Sequence, residues 1–462
     1  MFPTAFLSRM KCLLGDGEYE RFFTALCEEE NVHAIRYNTK KIDEASVLAS
    51  LGDSLRKISY AKDGFFCDVS HIGHHPLHHA GAVYSQDPGA MAPLNCLDVK
   101  RGWRVADFCA SPGGKSTQLA AMIGEDGVLL SNEINPTRCK VLAGNIERLG
   151  VENSIVTNVD SDQLAAWFDA CFDLVLVDAP CSGEGMFRKY DYAKDEWSPE
   201  AVLACAERQR AILANAARTV KAGGYLLYST CTFSLEENEM NVDDFLETHP
   251  DFSVCEVKDA VKAVTAPGIP FDGAKHPNEL SMARRFYPHL HAGEGQFMCL
   301  LKKAGETDAP GFLYKEAKTM VPSQDELALT EEFLENTLVA PYRDLLPGFV
   351  IKKIRDMMCL VPEGFPVPPH HCYMAGCAIG TVQKGRIEPH HQYFSAMGKH
   401  FLRKVSLTEE NAEVARYLRG ETFETDLSNG YAVVTVRGAA IGGVKIVNGV
   451  AKNHYPKGLR VP

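Results

Sequence analysis

Two cysteines stand where a thiol can do chemistry. Cys181 follows an acid and a proline in Asp178-Ala179-Pro180-Cys181-Ser182-Gly183, and Cys231 ends Ser229-Thr230-Cys231. A thiol nucleophile needs access, activation and an electrophile. No histidine is fixed by local sequence beside either cysteine, so a protease-type Cys-His pair is weakly supported. Taken singly, each is better read as a small buried hydrophobe. Taken together with Asp178, they become a possible site only if the fold brings them to one place.

The surrounding pattern does that. Leu174-Val175-Leu176-Val177 reads as a strand buried on both faces, and Asp178 at its carboxyl end points into the crevice where α/β sheets bind ligands. Arg104 to Cys109 is a strand, Ala110-Ser111-Pro112-Gly113-Gly114-Lys115 a tight turn, and Ser116 to Ile123 the helix it starts. Small residues let this turn approach a ligand, and the helix start favours a polar or anionic group. The spacing is neither G-x-G-x-x-G nor a Walker loop, which disfavours nicotinamide cofactors and ATP. Val128 to Glu133 is the second strand, and its closing acid lies where a nucleotide-binding half-fold holds ribose hydroxyls. The plainer reading of Glu133 is a helix-capping acid. Asn135 to Leu149 is the next helix, Ser154 to Asp160 a third strand ending in an acid, and Phe172 to Val177 the fourth. Helix 200–219 leads to the fifth strand, Gly223 to Cys231. Five strands with interleaved helices predict a doubly wound sheet, with both thiols and Asp178 on its carboxyl edge. On a nucleotide-binding sheet the electrophile can be C6 of a pyrimidine. Thiolate addition there, with an acid on N3, makes C5 nucleophilic towards a methyl sulfonium, and a second thiol can assist release.

Other signals bound the answer. With 462 residues the chain exceeds one core, and 45% hydrophobic with 23% charged residues is ordinary for a globular protein. No apolar run long enough to span a membrane exists, and Met1 to Gly15 lacks the continuous apolar core of a signal peptide. Fifteen cysteines without a C-x-x-C pair fit reduced thiols in a cytoplasmic protein. His71, His74, His75, His78 and His79 raise metal binding, but Pro76 interrupts helical spacing and no cysteine or carboxylate joins them; no metal is expected. The net charge of −12 is uneven: residues 301–462 carry 20 basic against 18 acidic residues, the first 300 carry 28 against 42. Gly430 to Pro462 holds five basic residues and no acid, so Lys452, Lys457 and Arg460 are candidate phosphate contacts, with a solvated surface as the plainer reading. Arg36, on the strand-like run Ala34 to Thr39 after a helix over Tyr19 to Glu29, is a further candidate or an ordinary surface residue.

At Asp107 to Lys115, Asp178 to Gly183 and Ser229 to Thr232 the chain strongly resembles the Sun/Fmu family of RNA cytosine-C5 methyltransferases. The resemblance implies that Cys109, Ala110, Ser111, Pro112, Gly113, Gly114, Lys115, Glu133, Asp160 and Asp178 hold S-adenosylmethionine. It implies Cys231 as nucleophile, Cys181 as the product-release thiol and Asp178 as the contact to the cytosine N3 edge. DNA cytosine methyltransferases are a poorer fit, since Ser182 follows Cys181 and the only Glu-Asn-Val, Glu30 to Val32, precedes the Gly-rich turn.

His75 to Gly81, Arg284 to His289, Gly293 to Gly295 and Lys452 to Arg460 resemble the bacterial RsmF-like subgroup, which acts on small-subunit (16S) ribosomal RNA; Phe286-Tyr287 replaces an expected aliphatic-tryptophan pair. The implied fold class is α/β: a Rossmann-like methyltransferase sheet, a small N-terminal α+β RNA-binding domain and a C-terminal PUA-like module. Expected domains are 1–75 (RNA-binding), 76–305 (methyltransferase), 306–375 (intermediate) and 376–462 (PUA-like). Asp308 to Gly311 reads as a boundary, Ser323 to Leu338 as an acidic helix, and Cys372 and Cys377 as free thiols. The competing expectations are the same chemistry on transfer RNA, or an RNA-binding assembly factor without turnover.

Overall fold

The computed structural model describes residues 2–28, 32–306 and 311–461. Glu29, Glu30 and Asn31 of the N-terminal readings, Asp308 to Pro310 of the expected boundary, and Pro462 lie outside them.

The organising element is a ten-stranded sheet. Its strands in chain order are β1 (Arg104–Asp107), β2 (Val128–Asn132), β3 (Ser154–Thr157), β4 (Phe172–Asp178), β5 (Val220–Thr230), β6 (Phe252–Val254), β7 (Ala266–Pro267), β8 (Arg284–Phe286), β9 (Gln296–Lys303) and β10 (Cys372–Ala375). In space the path runs β7-β8-β9-β5-β4-β1-β2-β3-β10, with β6 on β9. Strands β1 to β5 are mutually parallel, and β9 joins β5 antiparallel. The five-strand reading therefore covers only the parallel half. Strand β10, which lies between the Pro-rich segment and Cys377, extends the sheet by pairing antiparallel with β3.

Strand β4 shows why the sheet is wound on both faces. Leu174 and Leu176 enter the core beside helices Gly114–Ile123 and Pro136–Arg148, whereas Val175 and Val177 enter the core beside Pro199–Thr219 and Glu239–Thr248. Period-two alternation of branched apolar residues permits this only when both faces are covered. Strand β3 ends at Thr157, so Asp160 is the N-cap of helix Ser161–Trp167 and not a strand end.

The N-terminal part splits into two pieces. A four-stranded antiparallel sheet takes Ala34–Tyr37, Leu55–Lys57, Gly64–Cys67 and, past residue 75, Val83–Ser85. Its core is continuous with that of the C-terminal module, where Ile35, Leu77 and Val83 share a cluster with Tyr417, Val434 and Ile446. Helices Thr4–Leu14 and Asp16–Glu28 pack elsewhere: Phe6, Met10, Phe22 and Leu26 bury against Phe187, Trp197, Phe233 and Tyr287, near the loops that carry Cys181 and Cys231.

A four-stranded antiparallel sheet (Phe349–Ile354, Met357–Pro362, Cys377–Gln383, Arg386–Pro389) follows helix Gln324–Thr337, whose start carries a Ser323–Glu326 capping box. The final five-stranded sheet includes Gly430–Val436 and Ala439–Val447, which are longer than the two valine-rich runs alone indicate.

Arg36 is neither a surface residue nor a phosphate contact. It is 1% exposed, with Nε donating to Gln86 (3.1 Å) and Nη2 donating to Thr117 Oγ1 (2.9 Å) and the Gly114 carbonyl (3.1 Å). It fastens the N-terminal sheet to the helix that starts at the Gly-rich turn. A lone Arg in an alternating run gives no hint that the strand's outer face will be covered. Among the described residues no cluster of three metal-ligating side chains occurs, and His78 and His79 are half-buried near Arg148. Lys452 and Lys457 are exposed, whereas Arg460 is half-buried with Nη2 on the Tyr455 carbonyl. Cys372 and Cys377 are free, buried thiols on different sheets.

Candidate active site

The cleft lies at the carboxyl ends of β1, β4 and β5. Parallel pairing sets Ser229 beside Asp178, and the chain beyond each strand carries its cysteine outward. The two sulfurs stand 3.2 Å apart, both half-buried. Contact with the Cys231 sulfur and burial push the Cys181 thiol well above its ordinary range, so Cys181 keeps its proton at neutral pH.

Asp178 is the electrostatic hub. Lys115 Nζ donates to its Oδ2 at 2.8 Å, the Ser229 hydroxyl donates to Oδ1, and Gln296 Nε2 donates to Ser229 Oγ at 3.1 Å. Burial works against the Lys115 ammonium, yet Asp178 outweighs it and holds Lys115 above its usual value. The lysine that excluded a Walker loop thus reaches across the cleft to the strand bearing Cys181.

The Gly-rich turn is shaped by its residues. Gly113 has φ 111°, a left-handed backbone that side chains disfavour, and a Cβ there would meet Leu142 Cδ1 at 3.2 Å. The Ala110 N–H donates to the Asn132 carbonyl (2.8 Å), which ties the turn to the end of β2. Ser111 Oγ donates to the Arg138 carbonyl and Arg138 Nη2 donates to the Ser111 carbonyl, both at 3.0 Å. Beneath the turn Asp107 accepts from Ser116 Oγ (2.7 Å) and the Cys109 N–H (3.3 Å), and burial pushes it up to about 7. Burial also raises the Cys109 thiol well above its normal range, which leaves it an inert wall residue.

Glu133 is 3% exposed; its Oε1 accepts the Asn135 N–H (2.9 Å) and its Oε2 lies 3.4 Å from Arg138. Asp160 is exposed and accepts the Gln163 N–H (2.8 Å) as the cap of its own helix, whereas the helix after Glu133 is capped by Asn135. A glycine turn at a helix start, flanked by carboxylates that can accept from hydroxyl and amino groups, has the chemistry to meet a nucleoside bearing an amino-acid tail.

Sequence reasoning missed the residues that hold the two thiol loops. Glu184 is 1% exposed and accepts from Trp197 Nε1 (3.0 Å), Ser234 Oγ (2.6 Å), Thr232 Oγ1 (2.8 Å) and the Phe233 N–H (2.8 Å). Glu237 Oε2 accepts the Ser182 N–H (2.9 Å) and Gln209 Nε2 (2.8 Å), and its Oε1 is hydrogen-bonded to the Ser182 hydroxyl. Gly185 passes so close that a Cβ would fall 2.7 Å from the Cys231 carbonyl. Buried Arg285 pairs with buried Glu239 and donates to the Phe233 carbonyl at 2.8 Å. An acid between two glycines was the one visible signal, and only tertiary packing turns it into a brace.

The fold and the family match together define a Rossmann-like methyltransferase. Residues 94–302 match the profile of 16S rRNA methyltransferase RsmB/F, 2–88 that of the N-terminal domain of 16S rRNA methyltransferase RsmF, and 403–461 that of the RsmF PUA domain. The ribosomal RNA small subunit methyltransferase F of Klebsiella pneumoniae (strain 342) is 31% identical over 99% of this chain and 96% of its own. That of Vibrio vulnificus (strain YJ016) is 29% identical over 99% and 97%. The chain belongs to the RsmB/F methyltransferase family, with the terminal domains of its RsmF members. Among solved structures, a methyltransferase homologue from Pyrococcus horikoshii has TM-score 0.53 and 28% identity, covering 65% of this chain and all 100% of that one. NSun6 from the same organism, solved with SFG, has TM-score 0.58 and 22% identity over 66% and 99%, a likeness of fold.

Proposed function

We propose that this chain transfers a methyl group from S-adenosylmethionine to C5 of a cytidine in small-subunit (16S) ribosomal RNA. The observation that carries the chemistry is the pair of sulfurs 3.2 Å apart, Cys181 just beyond the strand that ends at Asp178 and Cys231 one strand over, with Lys115 paired to Asp178. The donor, when bound, supplies an electrophilic methyl group. Cys231 adds as thiolate to C6, which places electron density at C5. N3 takes up the proton that the Cys231 thiol gives up, and Asp178, fixed by Lys115 and Ser229, accepts from the resulting N3–H. C5 would receive the donor's methyl group, water would take the C5 proton, and Cys181 would assist as the Cys231–C6 bond breaks and the aromatic ring is restored. The donor site is assigned to the turn Cys109 to Lys115, with Glu133, Asp160 and Asp178 around it.

What supports the RNA substrate is the full-length similarity to enzymes named for the small-subunit ribosomal RNA. The N-terminal domain and the C-terminal PUA-like module are proposed as its RNA-binding ends, and a target base inside a helix must be flipped into the cleft. No helix among the described residues is long and apolar enough to cross a membrane, and all fifteen cysteines are free, which supports a cytoplasmic site of action. Labelled-methyl transfer to purified small subunits, naked ribosomal RNA and transfer RNA tests the reading. Label in ribosomal RNA is expected; label in transfer RNA alone overturns the substrate, and no label anywhere despite donor binding overturns the enzyme.

A further inference from the structure

The two thiol loops are braced reciprocally. Glu184, which follows Cys181 in its loop, accepts Thr232 and Phe233 from the Cys231 loop, and Glu237, beyond Cys231, accepts Ser182 from the Cys181 loop. A hydrogen-bonded chain joins the acids: Glu237 Oε1 to Ser182 Oγ, Ser182 Oγ to Thr232 Oγ1 at 2.9 Å, and Thr232 Oγ1 to Glu184 Oε2 at 2.8 Å. Three links need three protons, and the two hydroxyls bring only two. If both acids were ionised, each hydroxyl would donate to its own carboxylate and the Ser182–Thr232 contact would set lone pair against lone pair.

The third proton has one place to go. Each oxygen of Glu184 already accepts an N–H, from Trp197 and from Phe233, and neither can accept in return. Glu237 Oε2 likewise takes N–H groups from Ser182 and Gln209. Glu237 Oε1 meets only the Ser182 hydroxyl, which can accept. We infer that Glu237 is a positioning residue that carries a proton at neutral pH and donates it to Ser182, and that this proton completes the brace holding Cys181 against Cys231. Burial pushes Glu237 up to about 7, in keeping with the count. The ionisable groups facing it are Cys181, Cys205, Tyr228 and Glu184, and none is a cation that would draw the proton off.

This inference rests on the proposed roles of the two cysteines, so its test separates the two. Glu237→Ala leaves buried donors unpaired and is expected to lower kcat about ten- to hundredfold. Glu237→Gln keeps Oε2's acceptor role and donates permanently where the proton stood, so it restores kcat to within about threefold of wild type. Glu184→Gln turns an amide into facing donors and gives no such rescue over Glu184→Ala. Infrared spectra of wild-type protein are expected to show a protonated-carboxyl band near neutral pH, shared with Asp107 and Glu147, from which Glu237→Gln removes the Glu237 component, a readout independent of turnover and of the folding of the Glu184 variants. A band unchanged in Glu237→Gln, or Glu237→Gln as impaired as Glu237→Ala, overturns the shared proton. Full turnover by Cys231→Ala would instead overturn the underlying mechanism and leave the band untouched.

Discussion

Replacing Lys115 by methionine isolates the contact that fixes Asp178. The pair is 2.8 Å long, with side chains 10% and 30% exposed. Removing one partner of a fully buried ion pair costs about 3–5 kcal/mol. Water at Asp178 screens part of that, which leaves about 2 kcal/mol, or roughly a thirtyfold change in an equilibrium constant. After Lys115→Met the carboxylate retains only Ser229 and Gln296 as donors. After Asp178→Asn no charge remains to be left unpaired, so adding Lys115→Met costs much less. A double-mutant cycle read by chemical denaturation, with donor affinity by calorimetry alongside, should give a coupling of about 2 kcal/mol. Strict additivity of the two substitutions would refute the reasoning.

Three further outcomes follow from the same geometry. Asp107, Glu147 and Glu237 are all pushed up to about 7 by burial. The folded protein therefore holds protons that the unfolded chain has released, and these groups make stability fall as pH rises from about 4.5 to about 7. Denaturation midpoints at pH 5 and pH 8 should show a smaller drop in Asp107→Asn than in wild type, and an equal drop counts against the buried acid. Gly113→Ala forces a side chain into a backbone at φ 111° and should cost about 1–2 kcal/mol and weaken donor binding, as measured by thermal shift with and without donor. Arg36→Met leaves Gln86 and Thr117 without their buried donor and should destabilise the protein by about 2–3 kcal/mol, whereas a phosphate contact would weaken RNA binding at unchanged stability.

Much of the parallel sheet was legible because its signals are local. The apolar run at Leu174 to Val177, the glycine turn at Gly113 and the acids at Asp107 and Asp178 each announce a strand end or a ligand edge within a few residues. Asp160 was misread as a strand end because an Asx N-cap and a strand-terminal acid look alike until the helix over Ser161–Trp167 is seen. What stayed hidden depends on distant partners. Cys372–Ala375 gives no sign that it will pair with Ser154–Thr157 more than 200 residues earlier, and nothing near Phe6 or Phe22 indicates that they seal the back of the thiol loops. The burial of Glu184 and Glu237 is decided by hydroxyls and N–H groups from the opposite loop, which no local pattern announces.

The central claim is the division of labour between two sulfurs 3.2 Å apart. Incubating Cys181→Ala and Cys231→Ala with ribosomal RNA and donor, then resolving protein–RNA adducts under denaturing conditions, tests it directly. A covalent adduct that accumulates with Cys181→Ala and is absent with Cys231→Ala is the predicted result. An adduct with Cys231→Ala alone would reverse the roles of the two thiols.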